Sequence, residues 1–217
     1  MNQETKEEEI NNPMRKIMKK ILALPYSQGC IFEKNIENII QETGLNKFNI
    51  TDQWKKNNNW VYNLINNKDQ IKNLIPNNNF ICQPFGIQQN PDFIIHSNNK
   101  MTYLEAKSCK GKKPMYNSGG IHHSYIYAFC SKKTNKTTLY KGSDIITQEQ
   151  NKLIEQHIRK ARILDEELNK KLDELDSNNR GVCYYTRPMI QQHGNNTDYF
   201  NHKNRFKCEQ NVIDLFN

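Results

Sequence analysis

A change of hydrophobic rhythm near Phe80 limits what this chain can fold into. Upstream of it, apolar residues recur at helical spacing. Pro13 opens a basic helix, MRKIMKKILAL, that ends before Pro25, and a second helix, IFEKNIENIIQET, begins behind Gly29 and stops at Gly44. In the second, Phe32, Ile36, Ile39, Ile40 and Thr43 share one face, the pattern of a helix packed on an apolar surface. A third helix is expected over 60–75, broken by PNNN. From Phe80 onward the rhythm is that of strands. FIIH, TYLEAKS, SYIYAFCS and TTLY are short, β-branched or aromatic, and bounded by Asn, Gly or Lys clusters.

Residues 148–176 then form the longest expected helix, with Ile154, Ile158, Ala161, Leu164, Leu168, Leu172 and Leu175 as an apolar stripe. Such a helix is expected to lie across the sheet, with a coiled-coil dimer seam as the alternative. SNNRG closes it and GVCYYT is expected to be a strand, so that strand, long helix and strand make a right-handed parallel crossover. RFKCEQNVIDLF adds one further element of either type. Residues 1–12 are expected to be a disordered tail and 13–217 a single domain, since 217 residues leave room for one well-formed core.

Lys and Arg number 31 against 23 Asp and Glu, a formal charge of +8 that favours polyanionic partners such as nucleic acid. Hydrophobic residues make up only 35%, with Asn in excess along the whole chain, which fits a globular domain with long polar loops and makes Asn a poor marker of function. The six cysteines contain no C-x-x-C pair, so neither a zinc ribbon nor a redox motif is signalled and ordinary core packing is their expected role. The acidic N-terminus lacks an apolar signal-peptide core, and no run approaches the roughly 18 apolar residues of a membrane span. A cytoplasmic, reducing location without membrane association is expected.

The stretch that carries chemistry is NPDFIIHSNNKMTYLEAKSCKG. Asp92 opens one strand behind Pro91, SNNK supplies the turn, and Glu105 and Lys107 stand two apart on the returning strand, hence on one face of it. Hairpin pairing can bring Asp92 beside them. Two converging carboxylates repel unless a cation lies between them, and an all-oxygen set suits a hard ion such as Mg²⁺. With a lysine alongside to orient or deprotonate water, or to offset charge growing on phosphorus, the set suits in-line phosphodiester hydrolysis.

Pro91-Asp92, a gap of 12 residues, then Glu105-Ala106-Lys107 resembles the motif of the PD-(D/E)XK nuclease superfamily. The resemblance spans about residues 29–187 and implies an α/β fold with a restriction-endonuclease-like core, a mixed central sheet flanked by helices. Gly29-Cys30-Ile31-Phe32-Glu33 is similar to the G-x-x-F-E pattern that brings a further carboxylate to the metal in many such nucleases, with Glu37 as the rival to Glu33. The implied catalytic set is Asp92, Glu105, Lys107 and Glu33, and the implied Mg²⁺ ligands are Asp92, Glu105, Ala106 and Glu33. The flanking residues look most like a compact type II restriction endonuclease, which implies double-stranded DNA as substrate, a homodimer on it, and a cognate DNA methyltransferase in the same system. A repair nuclease or junction resolvase, or a non-cutting DNA-binding module of the same fold, are the alternatives.

Ser108, Lys110, Lys112 and Lys113 follow the catalytic strand and form either a phosphate-gripping loop or a merely solvated basic one. Asn117 and Ser118 are candidate base-edge or backbone contacts, or an ordinary turn. Gln88 and Gln89, just before Asp92, offer amides able to read adenine, against a generic polar loop. His122 and His123 lack a partner at metal-ligand spacing and are expected to be structural, which disfavours an H-N-H nuclease. Arg187, Arg205 and Lys207 are candidate groove contacts, whereas Tyr184 and Tyr185 are expected in core and sheet surface.

Overall fold

The computed structural model describes residues 12–61, 68–86, 89–117, 120–192 and 198–217. The expected tail at 1–11 and the middle of the expected third helix at 62–67 lie outside them. Asn12 belongs to the fold: its Oδ1 accepts the Met14 N–H at 3.0 Å, capping α1 (Pro13–Leu22), and its Nδ2 donates to the Phe216 carbonyl at 2.7 Å.

After α1 come α2 (Cys30–Glu42), β1 (Asn46–Lys47), α3 (Asp52–Asn57), α4 (Lys68–Leu74), β2 (Asn79–Cys82), β3 (Phe93–Ser97), β4 (Lys100–Cys109), β5 (Ile126–Ser131), β6 (Lys136–Lys141), α5 (Gln148–Leu175) and α6 (Arg205–Ile213). The strands form one mixed sheet in sequence order. β1 runs parallel to β2 and β4 parallel to β5, and the other pairs are antiparallel. The β3–β4 hairpin is tight because Asn98 and Asn99 both take positive φ, 50° and 56°, the conformation that a two-residue turn between right-twisted strands requires and that Asn tolerates.

Alternation along the strands divides the core in two. Phe93, Ile95, Leu104, Ala106, Ala128 and Leu139 belong to one layer, where Ile17, Met18 and Ile21 of α1, Phe32, Ile36 and Ile40 of α2 and Val212 of α6 cover them. Ile81, Ile94, Tyr103, Tyr127, Phe129 and Tyr140 belong to the other, beneath Trp60, Ile71, Ile75, Tyr116, Tyr199 and Phe200. Each fully buried Ile, Leu, Met, Val or Phe among them stabilises the fold by roughly 1.5–3 kcal/mol through removal from water. Tyrosine is tolerated in this second layer because its hydroxyls bond one another: Tyr116 Oη lies 2.9 Å from both Tyr140 Oη and Tyr199 Oη.

Several expectations are corrected. Residues 181–186 are not a strand: they run exposed, back along α5, whose polar side chains capture their backbone. Asn169 Oδ1 accepts the Tyr184 N–H at 2.6 Å, Asn169 Nδ2 donates to the Tyr184 carbonyl at 2.7 Å, and Asp165 Oδ2 accepts the Thr186 N–H at 2.6 Å. Tyr184 and Tyr185 are therefore solvent-exposed. The crossover through 148–176 does not exist, and the parallel step from β4 to β5 is made by 110–125, whose described residues include no helix. Nor does α5 lie across the sheet. It buries no residue, because the aromatic cluster already fills the face it would have covered. The cysteines do not all pack in the core either: Cys130 is buried, while Cys30 and Cys183 are exposed. Among the described residues, no helix is long and apolar enough to cross a membrane.

Candidate active site

Main-chain pairing between β3 and β4 stops at Phe93 opposite Leu104. One step further the strands carry Asp92 and Glu105, and their carboxylates take over the backbone donors that the ladder leaves behind. Asp92 Oδ2 accepts the Ala106 N–H at 2.8 Å, and Glu105 Oε2 accepts the Asp92 N–H at 3.1 Å. The two acids are thus locked to each other's strand. Alternation puts Glu105 and Lys107 on the same face as Tyr103, and Lys107 Nζ donates to Glu105 Oε1 at 2.5 Å, with the glutamate side chain only 3% exposed.

Burial, and then the Glu105 charge, push the Asp92 carboxyl up to about 8. Glu105 is raised as well, by burial first, against the opposing pull of Lys107. The Glu33 charge raises both. One ammonium does not neutralise this cluster, so the site favours uptake of a proton or of a cation.

Glu33 reaches the cluster from α2. Ser108 Oγ accepts the Gly29 N–H at 2.8 Å and ties the start of that helix to β4, where Gly29 supplies the positive φ of 49° at the helix entry. Gln83 Nε2 then donates to Glu33 Oε2 at 3.1 Å, while the Gln83 N–H donates to the Asp92 carbonyl at 2.7 Å. Gln83 was not among the sequence candidates. Its only signal is topological: it stands one residue past Cys82, the partner of Phe93, when β2 pairs antiparallel with β3. Glu37 faces elsewhere, bonded to Lys34 and Lys47 at 2.8 Å each; burial opposes its charge, but the two lysines hold its carboxyl below the ordinary range.

Among the described residues, no group of three or more His, Cys, Asp or Glu side chains is drawn together tightly enough to form a ready-made metal cage. The donor set fits a hard ion nonetheless: the buried Glu105 carboxylate and the half-buried Asp92 carboxylate, with a third acidic charge within electrostatic reach, all oxygen and short of positive charge. Ala106 adds only main chain, and its N–H is spent on Asp92.

The expected DNA contacts divide. Lys110 and Lys113 are exposed. Lys112 pairs with Asp198 at 2.8 Å, and Ser108 Oγ accepts the Gly29 N–H at the start of α2. The Asn117 carbonyl accepts from Arg187 Nε at 2.8 Å. Gln89 is exposed, whereas Gln88 and Ser118 lie outside the described residues. Arg205 pairs with Glu209 at 2.7 Å, and Lys207 is exposed. His122 stacks on Tyr125, and the His123 backbone N–H donates to Asn151 Oδ1 at 3.0 Å. Comparison with protein-family models, with curated proteins and with solved structures finds no match.

Proposed function

We propose that this chain is a type II restriction endonuclease, a magnesium-dependent enzyme that hydrolyses phosphodiester bonds at specific sites in double-stranded DNA. The observation that carries the proposal is the Asp92–Glu105–Lys107 cluster at the strand end, built around the buried Glu105, where two carboxylates with raised proton affinity share one lysine. α2, the β3–β4 hairpin and β5 are assigned to a restriction-endonuclease-like core. Asp92, Glu105 and the Ala106 main chain would hold Mg²⁺ with Glu33 assisting. When bound, the ion supplies the positive charge that activates water and stabilises the departing oxygen. Lys107 orients the attacking water and offsets charge growing on the phosphate oxygens. Gln83 aims Glu33. The formal charge of +8 and the exposed Lys110 and Lys113 supply attraction to the phosphate backbone.

A duplex has two strands to cut, which two copies of one site accomplish together, so a homodimer on DNA and a methyltransferase protecting host sites complete the proposal. Digestion of plasmid DNA with Mg²⁺, followed by sequencing of the ends, tests it. Discrete fragments with fixed ends are expected. Cutting confined to branched DNA would assign the chain to junction resolution instead, and absence of any cutting would reject nuclease function.

A further inference from the structure

Between Glu105 and Asp144 the sequence holds eight lysines and no Asp, Glu or Arg. The whole chain carries a formal charge of +8, so the charges outside this stretch balance and the excess belongs to it alone. Topology gathers most of that excess at one end of the sheet. β4 and β5 run parallel with Cys109 beside Ser131, so the loop bearing Lys110, Lys112 and Lys113 and the β5–β6 turn bearing Lys132 and Lys133 leave the sheet side by side. The Lys132 N–H donates to the Cys109 carbonyl at 3.0 Å, Ser131 Oγ donates to the Gly111 carbonyl, and Asn135 Oδ1 accepts the Tyr26 N–H at 3.1 Å, which ties the turn to the segment entering α2. Asp198 offsets Lys112, whereas Lys110, Lys113, Lys132 and Lys133 are exposed and make no ion pair among the described residues. The Asp92–Glu105–Lys107 cluster stands at the same end. Glu105 and Lys107 precede Lys110 by five and three residues. At about 3.3 Å per residue that is a reach of roughly 10–17 Å, the span of about three to five base pairs.

We propose that the sugar-phosphate backbone of duplex DNA lies along this end of the sheet, with Lys132 and Lys133 gripping phosphates next to those met by Lys110 and Lys113. On the reading of the chain as a DNA-cutting enzyme, on which this rests, the β5–β6 turn joins the substrate surface. Four uncompensated ammoniums on two loops bonded to each other repel, and a polyanion relieves that repulsion. A duplex fits because its charge is spread along a line, one phosphate per roughly 3.4 Å of each strand, and the lysines lead away from the acidic cluster on the same scale. Such contacts carry no base specificity, so they set affinity and position the bond to be cut.

Fluorescence anisotropy of a labelled duplex in Ca²⁺, from roughly 50 to 200 mM salt, decides it. The wild type is expected to bind with a steep salt dependence. Lys132→Gln combined with Lys133→Gln should flatten the slope of log affinity against log salt by about two, near one per lysine, and Lys132→Arg with Lys133→Arg should keep the wild-type slope. Lys16→Gln with Lys19→Gln removes the same charge from exposed positions on α1 and should leave the slope unchanged. A slope unmoved by the two Gln substitutions in the turn, or flattened equally by the α1 pair, would overturn the proposed surface while leaving the nuclease reading to the plasmid digest. A wild type that binds no duplex would overturn both. A slope loss confined to the turn variant, in a protein that cuts no plasmid, would keep the surface and reject the nuclease.

Discussion

Replacing Asp92 by Asn should make the metal-free protein more stable while removing its activity. The Asp92 carboxyl, ordinarily near 3.8, is pushed up to about 8 by burial and by Glu105. The native state therefore binds this proton more tightly than the unfolded chain does. The penalty is absent below the unfolded value, grows as pH rises, and is complete above the folded one. At about 1.4 kcal/mol per pH unit, the ceiling at neutral pH is roughly 4 kcal/mol, and with Lys107 and partial solvent access a gain on the order of 2 kcal/mol is expected. Asn preserves the local bonding, since its Oδ1 can accept the Ala106 N–H and its Nδ2 can donate to Glu105. Urea unfolding in EDTA at several pH values measures the effect. Asp92→Asn should exceed the wild type by about 2 kcal/mol at pH 8 and match it near pH 4. Added Mg²⁺ should stabilise the wild type and not the variant. A variant no more stable than wild type at pH 8 would refute the electrostatic reasoning.

Gln83→Leu removes the donor that aims Glu33, and is expected to slow cleavage by about tenfold or more with DNA affinity in a gel shift unchanged. Gly142→Ala would place a Cβ 1.9 Å from the His122 carbonyl oxygen, a backbone clash that no rotamer relieves. A loss of about 3 kcal/mol is expected in thermal unfolding, with the cleavage residues untouched.

The hairpin and its acids were legible because their signals are local: alternation, a two-Asn turn, and Glu105 and Lys107 two apart on a strand. The apolar face of α2 was legible for the same reason, since Phe32, Ile36, Ile39 and Ile40 are all buried. The layout after β6 was not. The stripe on α5 has the period of a core helix, but whether a sheet face remains free for it depends on Tyr116, Tyr199 and Phe200, which arrive from distant loops. GVCYYT has strand propensity, yet Asp165 and Asn169 bind its backbone first, a competition that propensity does not register. Gln83 was hidden in the same way, because its role depends on the β2–β3 register.

The most direct measurement is cleavage and binding by Lys107→Ala beside the wild type, on one duplex containing the cleavage site, with Mg²⁺, with Ca²⁺ and with EDTA. The wild type should cut with Mg²⁺ alone and bind without turnover in Ca²⁺. Lys107→Ala should bind nearly as tightly and cut about a thousandfold more slowly, because the lysine acts on the transition state more than on the bound substrate. Wild-type cutting in EDTA, or cutting by Lys107→Ala at the wild-type rate, would contradict a metal-dependent site built on Asp92, Glu105 and Lys107.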